Sequence, residues 1–154
     1  SFRLNLFFPG LYRHHHFFVI TGFQKQIKGR YYLPYIRINF PRGYTERISD
    51  TFSSMSLNYS FPFSYPDLTL GPILYIKRLR ANMFYDLGYG KNMRLFDPEP
   101  TVMSGYLGSF GTEVSADFHT LRIIFPLSAG IRVGYMTSDQ KVYAEFMMQL
   151  NTNL

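Results

Sequence analysis

The stretch RIIFPLSAGIRVGYM at residues 122–136 decides the fold. Its odd positions Ile123, Phe125, Leu127, Ala129, Ile131, Val133 and Tyr135 are apolar, whereas Arg122, Ser128, Gly130, Arg132 and Gly134 stand at even positions. Successive side chains of a strand point to opposite faces, so this alternation predicts one strand with an apolar and a polar face. Strands of soluble domains average about five or six residues, which makes the run long for a soluble sandwich.

The same division recurs upstream. At 104–118, Tyr106, Phe110, Val114, Ala116 and Phe118 oppose Ser109, Gly111, Glu113, Ser115 and Asp117. At 73–89, Tyr75, Leu79, Ala81, Met83, Tyr85, Leu87 and Tyr89 oppose Arg78, Arg80, Asn82 and Asp86. A face of Arg, Asn, Asp and Glu does not suit the dry core of a sandwich. It suits a large transmembrane barrel, whose apolar set faces lipid and whose polar set faces a wet lumen, on tilted strands of at least about nine to eleven residues. Lys77 breaks the apolar set, but it follows the Pro66-Asp67…Gly71-Pro72 turn closely, where its stem can snorkel to headgroups.

Composition agrees with this and excludes other classes. The 154 residues contain no uninterrupted apolar run of about 18, so no transmembrane helix is expected. The mean hydropathy is −0.10. The 13 Tyr and 16 Phe, without Trp, favour strands and membrane interfaces. The absence of Cys removes disulfides and thiolate metal sites. The formal charge of +6 is spread along the chain without a dense basic stretch, so nucleic acid is not an expected partner. Ser1-Phe2-Arg3-Leu4 carries neither an initiator Met nor a signal peptide, so the chain is expected to start mid-protein, residues 1–154 being the C-terminal portion of one barrel domain.

Reading back from Leu154, strands are predicted over 141–150, 122–136, 104–118, 73–90, 52–63, 30–40, 17–26 and 2–8. The expected fold is therefore all-β, an antiparallel transmembrane β-barrel with about eight strands here. With the C-terminus in the periplasm, Ser138-Asp139, 93–100, 41–50 and Pro9-Gly10 would face outside. His119, Pro66-Asp67 and Lys28-Gly29 would face the periplasm. Tyr75, Tyr89, Tyr106 and Tyr135 fall near strand ends, as an aromatic girdle requires.

Two short motifs stand in a telling order: Pro41-Arg42-Gly43-Tyr44 and, one strand later, Phe84-Tyr85-Asp86-Leu87-Gly88. This resembles the bacterial surface antigen superfamily, which includes barrel-assembly insertases (BamA-like), TamA-like assembly factors and two-partner secretion transporters. Its members carry an Arg-Gly-aromatic motif on the sixth outer loop and Phe-x-Asp-x-Gly on the thirteenth strand, with five strands after the loop. Five predicted strands also follow Tyr44. Leu57-Asn58-Tyr59-Ser60-Phe61-Pro62-Phe63 is similar to the family's short apolar strand ending in Pro, and Gly111-Thr112-Glu113-Val114 to its Gly-rich strand. The stretch from Tyr65 to Asp86 looks like a Bacteroidetes-type member.

The resemblance implies the second half of a roughly 16-stranded barrel in the Gram-negative outer membrane. It implies that Arg42, Gly43, Tyr44, Phe84, Asp86 and Gly88 form a lumen motif in which Arg42 meets Asp86. It also implies that the last strand, with Tyr143, Phe146 and Met148, is a lateral edge for substrate strands. The expected function is insertion, translocation or display of proteins at the outer membrane, without catalysis or cofactor. Partners would be outer-membrane lipids, lipopolysaccharide, and substrate proteins or other subunits of a complex. Two alternatives stand beside it: a barrel anchor or subunit without insertase activity, and a passive pore. Pro41 replaces the family's aliphatic residue, the loop at 41–50 is shorter than the family's, and the terminal aromatic is missing; this last departure favours the anchor.

Other chemistry is weaker. On a strand, only His14 and His16 of His14-His15-His16 share a face, too few for a metal site. Asp117 and His119 share a face, most simply as a hydrogen-bonded pair. No Ser sits in a Gly-x-Ser-x-Gly elbow. The lumen set Arg37, Arg78, Arg80, Arg122 and Arg132 outweighs Asp86, Glu113, Asp117 and Glu145, either as an internal salt-bridge network or as a surface for anions.

Overall fold

A computed structural model describes residues 1–26, 38–45, 49–71, 73–94, 102–120 and 127–150. The described residues form an all-β, antiparallel eight-stranded sheet: β1 (Phe2–Pro9), β2 (His16–Lys25), β3 (Thr51–Ser64), β4 (Leu68–Leu70), β5 (Leu74–Arg94), β6 (Val102–Thr120), β7 (Leu127–Met136) and β8 (Lys141–Leu150). The order is β1-β2-β3-β5-β6-β7-β8, with short β4 paired beside β3 on β5. β1 and β8 are the two edges, so the sheet is not closed on itself.

Register turns the alternation into two faces. Ile131, for example, pairs with Val114 and Phe146, and Met83 with Thr112 and Tyr59. These side chains form an apolar face that is largely uncovered: Phe146 is 74%, Met148 64% and Ile131 57% exposed. The opposite face pairs Arg132 with Glu113 and Glu145, and Asp86 with Ser56 and Ser109. The buried residues lie there instead. At the end of the sheet near the 137–140 turn, Ile38, Tyr44, Phe52, Met93, Leu107 and Met136 form one cluster, with Phe40 and Tyr143 packed on it.

Several expected elements move. Among the described residues β2 pairs directly with β3, from His16↔Ser60 to Lys25↔Thr51, and most of the expected 30–40 strand lies outside them. Residues 27–37, including Lys28, Gly29 and Arg37, lie outside the described ones, and Ile38 to Phe40 belong to the β2–β3 connection. Arg42 lies in this connection, of which residues 26, 38–45 and 49–50 are described. With β2 paired on β3, 10–15 lies at the same end as Pro66-Asp67 and opposite the 137–140 turn, since Pro9↔His16 and His16↔Ser60 stack there.

A bulge shifts the register between Ile76 and Arg78, leaving Lys77 as the extra, exposed residue. Parity inverts across it: Ile76 pairs with Phe118 on the apolar face and Tyr75 with His119 on the other. Tyr75 therefore does not share a face with Tyr89, Tyr106 and Tyr135. Of the expected 122–136 strand, Leu127–Met136 is observed, residues 121–126 lying outside the described ones. β8 has the bounds expected from the sequence.

Candidate functional site

The β2–β3 connection turns back over the polar face at Arg42. A left-handed φ of +85° at Gly43 makes the turn, and Tyr44 N–H donates to the Pro41 carbonyl at 3.4 Å. Arg42 is thereby delivered to the middle of β3, β5 and β6. Its backbone N–H donates to Asp86 Oδ2 at 3.1 Å, and its Nε lies 3.6 Å from the same oxygen. Its Nη2 donates to Asn58 Oδ1 at 2.6 Å, and its Nη1 stands 3.5 Å from Glu113 Oε1. The guanidinium carbon sits 4.4 Å from the Phe84 ring centroid, a cation–π contact strengthened by exclusion of water.

The carboxylate is almost fully buried, with Asp86 at 1% exposure. A buried charge is tolerated only when paired and hydrogen-bonded, and Arg42 supplies both needs. The partners extend outward: Asn82 Nδ2 bridges Asn58 Oδ1 and Glu113 Oε2, and Arg132 donates to Glu113 at 2.7 Å and Glu145 at 2.8 Å. One connected network thus runs from the Arg42 loop across β3, β5, β6 and β7 to the edge strand β8.

Tyr44 makes a second attachment. Its hydroxyl donates to the Gly108 carbonyl at 2.9 Å and accepts from Ser138 N–H at 3.1 Å, tying the loop to the β7–β8 turn. Gly43 makes a third: a Cβ there would meet the Tyr143 ring at 2.5 Å, and one at Gly134 would meet the same ring at 2.7 Å. Tyr143 of β8 is wedged between two glycines, one in the loop and one in β7. Gly88 serves similarly, leaving room for Pro41 and Phe52.

Each residue expected in the lumen motif therefore meets in one place: Arg42, Gly43, Tyr44, Phe84, Asp86 and Gly88. The three expected edge residues separate. Phe146 and Met148 stand on the exposed apolar face, while Tyr143 points to the polar face beneath the loop. Asp117 does not pair with His119; it takes Arg78 Nε, Arg80 Nη2 at 2.8 Å and Ser128 Oγ at 2.6 Å, while His119 stacks on Tyr75. His14 and His15 sit in the β1–β2 turn, not on a strand, and His15 Nδ1 is 2.7 Å from Tyr59 Oη. Among the described residues, no three of His, Asp and Glu converge as metal ligands. Arg122 lies outside the described residues.

Sequence reasoning put Asn82 on the polar face and quoted Asn58 but assigned neither to the motif, and it missed the packing of Tyr143. Asn58 follows Ser54 and Ser56 and precedes Ser60 at period two on β3, a row of small polar residues that is the available signal. The network consists of ion pairs and side-chain hydrogen bonds that converge on Arg42, so its chemistry is positional: it fixes a loop. No protein-family model, no curated protein and no solved structure matches the chain.

Proposed function

We propose that the chain is the C-terminal part of a surface-antigen-type β-barrel of the bacterial outer membrane, which assists insertion, translocation or display of proteins there. The observation that carries this reading is the seating of the Arg42-Gly43-Tyr44 loop on Asp86 across the polar face. A large barrel needs such a device, because a loop folded into a wet lumen loses chain entropy and must be held by strong, directional contacts.

Two further observations support it. β5 and β6, at 21 and 19 residues, exceed the length that a tilted strand needs to cross the hydrocarbon layer. The uncovered apolar face is far more continuous than a soluble surface carries, and acyl chains are the occupant that matches it. Tyr89 and Tyr106, with ring centroids 4.8 Å apart near one end of that face, suit a headgroup boundary.

The mechanism is mechanical. β8 is an edge strand whose outer backbone groups can template an incoming strand by β-augmentation. The loop holds this edge through the Tyr44 and Tyr143 contacts and through Arg132 on Glu145, so seating of the loop and placement of the edge are coupled. Photo-crosslinking residues at Phe146 and Met148, on the exposed face of β8, are expected to trap nascent outer-membrane proteins in cells. At Tyr143, covered by Gly43 and Gly134, yields should be much lower. Absence of adducts at 146 and 148 would contradict the assembly role and leave the barrel as an anchor.

A further inference from the structure

At the end of the polar face remote from the Arg42 loop, a cavity of about 300 Å³ opens between the β1–β2 turn and β5. It is lined among others by His14, His16, Ser60, Tyr65, Arg78 and Arg80. We propose that it is a binding site for a phosphate group.

The charges do not balance there. Asp117 holds both guanidinium groups, through Arg78 Nε and Arg80 Nη2, and also accepts from Ser128. One carboxylate thus faces two permanent cations, and each arginine keeps further N–H donors beyond the one given to Asp117. Among the described residues, Arg80 Nε has no hydrogen-bond partner, which leaves a donor in need of an acceptor. Among the described residues at this end, Arg13, Lys77, Arg78 and Arg80 stand against Asp67 and Asp117 alone, so the surrounding field also favours an anion.

The rim is held in place. Gly10 N–H donates to the His15 carbonyl at 2.9 Å and His15 N–H to the Tyr12 carbonyl at 3.1 Å, while His14 takes a left-handed φ of 70°. His15 is engaged by Tyr59 and stacks on Phe61. The middle histidine thus anchors the turn, and its two neighbours line the cavity. Planar guanidinium forks with imidazole and hydroxyl donors around one small volume suit a tetrahedral oxyanion, which offers acceptors in several directions, better than a planar carboxylate. The phosphate can be a free phosphorylated solute or a lipid headgroup; the site chemistry is shared.

The proposal does not rest on the membrane reading, since the cavity belongs to the sheet itself. The test titrates the natural full-length protein in detergent micelles with inorganic phosphate at constant ionic strength, by calorimetry. In a second arm it is incorporated in phosphatidylcholine nanodiscs with and without phosphatidic acid, and lipid retention is measured. Arg80→Gln is expected to weaken binding about tenfold and His16→Gln about threefold, while Arg3→Gln, at the far end of β1, leaves it unchanged. His16 is exposed, so its variant keeps the test valid if Arg80→Gln fails to fold. Selective weakening in the first arm supports a free phosphate ligand, and in the second arm alone a headgroup. Binding in neither arm, or equal binding by all three variants, overturns the proposal.

Discussion

Replacing Asp86 with alanine is expected to destabilise the folded chain by about 3–5 kcal/mol, the usual cost of leaving one partner of a buried ion pair alone. Arg42 would lose the acceptor for its backbone N–H and the charge opposite its Nε, while remaining over Phe84 and beside Asn58. Arg42→Ala should cost a similar amount by stranding Asp86, which is 1% exposed. The double variant should be no worse than the more damaging single one, because the second substitution removes a group already left unpaired. Urea unfolding of protein refolded in detergent reads all three. Strictly additive losses would refute the pairing as the element that holds the loop.

Gly43→Ala carries the second large expected effect, about 2–4 kcal/mol, from two sources that can be separated. One is the left-handed backbone, which disfavours any side chain; the other is the Tyr143 ring, 2.5 Å from where the Cβ would be placed. Gly71 provides the control, since its φ is also positive, at 62°, but none of the described residues would lie within 4 Å of its Cβ. Gly71→Ala should therefore cost only about 1 kcal/mol. Adding Tyr143→Ser to Gly43→Ala should recover part of the loss by emptying the wedge. Equal effects at the two glycines would show that the loop does not press on β8.

The alternation made most of the fold legible, because register in a two-faced sheet is set by side-chain polarity alone. β8 and the pairing of Arg132 with Glu113 follow directly from period two. Most of the expected 30–40 strand, residues 30–37, lies outside the described ones, and its last three residues belong to the β2–β3 connection. Ile38 and Phe40 are apolar for another reason: Ile38 joins the buried cluster and Phe40 stacks on Phe52, with centroids 4.8 Å apart. A pattern records that a side chain is buried, not which surface buries it.

The bulge at Lys77 was hidden for a related reason. One extra residue leaves local composition unchanged and reverses the faces on its far side, so Tyr75 parted from the other tyrosines. At the candidate site, the resemblance named the residues that meet, whereas for Tyr143 the sign was its period-two parity with Glu145, opposite Phe146 and Met148. Its neighbours Val142 and Ala144 alternate with it in the ordinary way, and its place is set by two glycines distant in the chain. The phosphate cavity was legible only as an excess of positive charge.

The central claim is that the uncovered apolar face meets lipid while the Arg42 face meets water. These 154 residues contain no cysteine, so each introduced cysteine adds one labelling site, read against the protein without it. In outer-membrane vesicles bearing the natural protein, cysteines at Leu57, Ile131 and Phe146 are expected to resist a water-soluble maleimide, and a fluorophore there to be quenched by brominated acyl chains. Cysteines at Ser54 and Ser115, on the opposite face, are expected to react with the maleimide and escape that quenching. Equal aqueous labelling of both sets, with no quenching at 57, 131 or 146, would contradict the account.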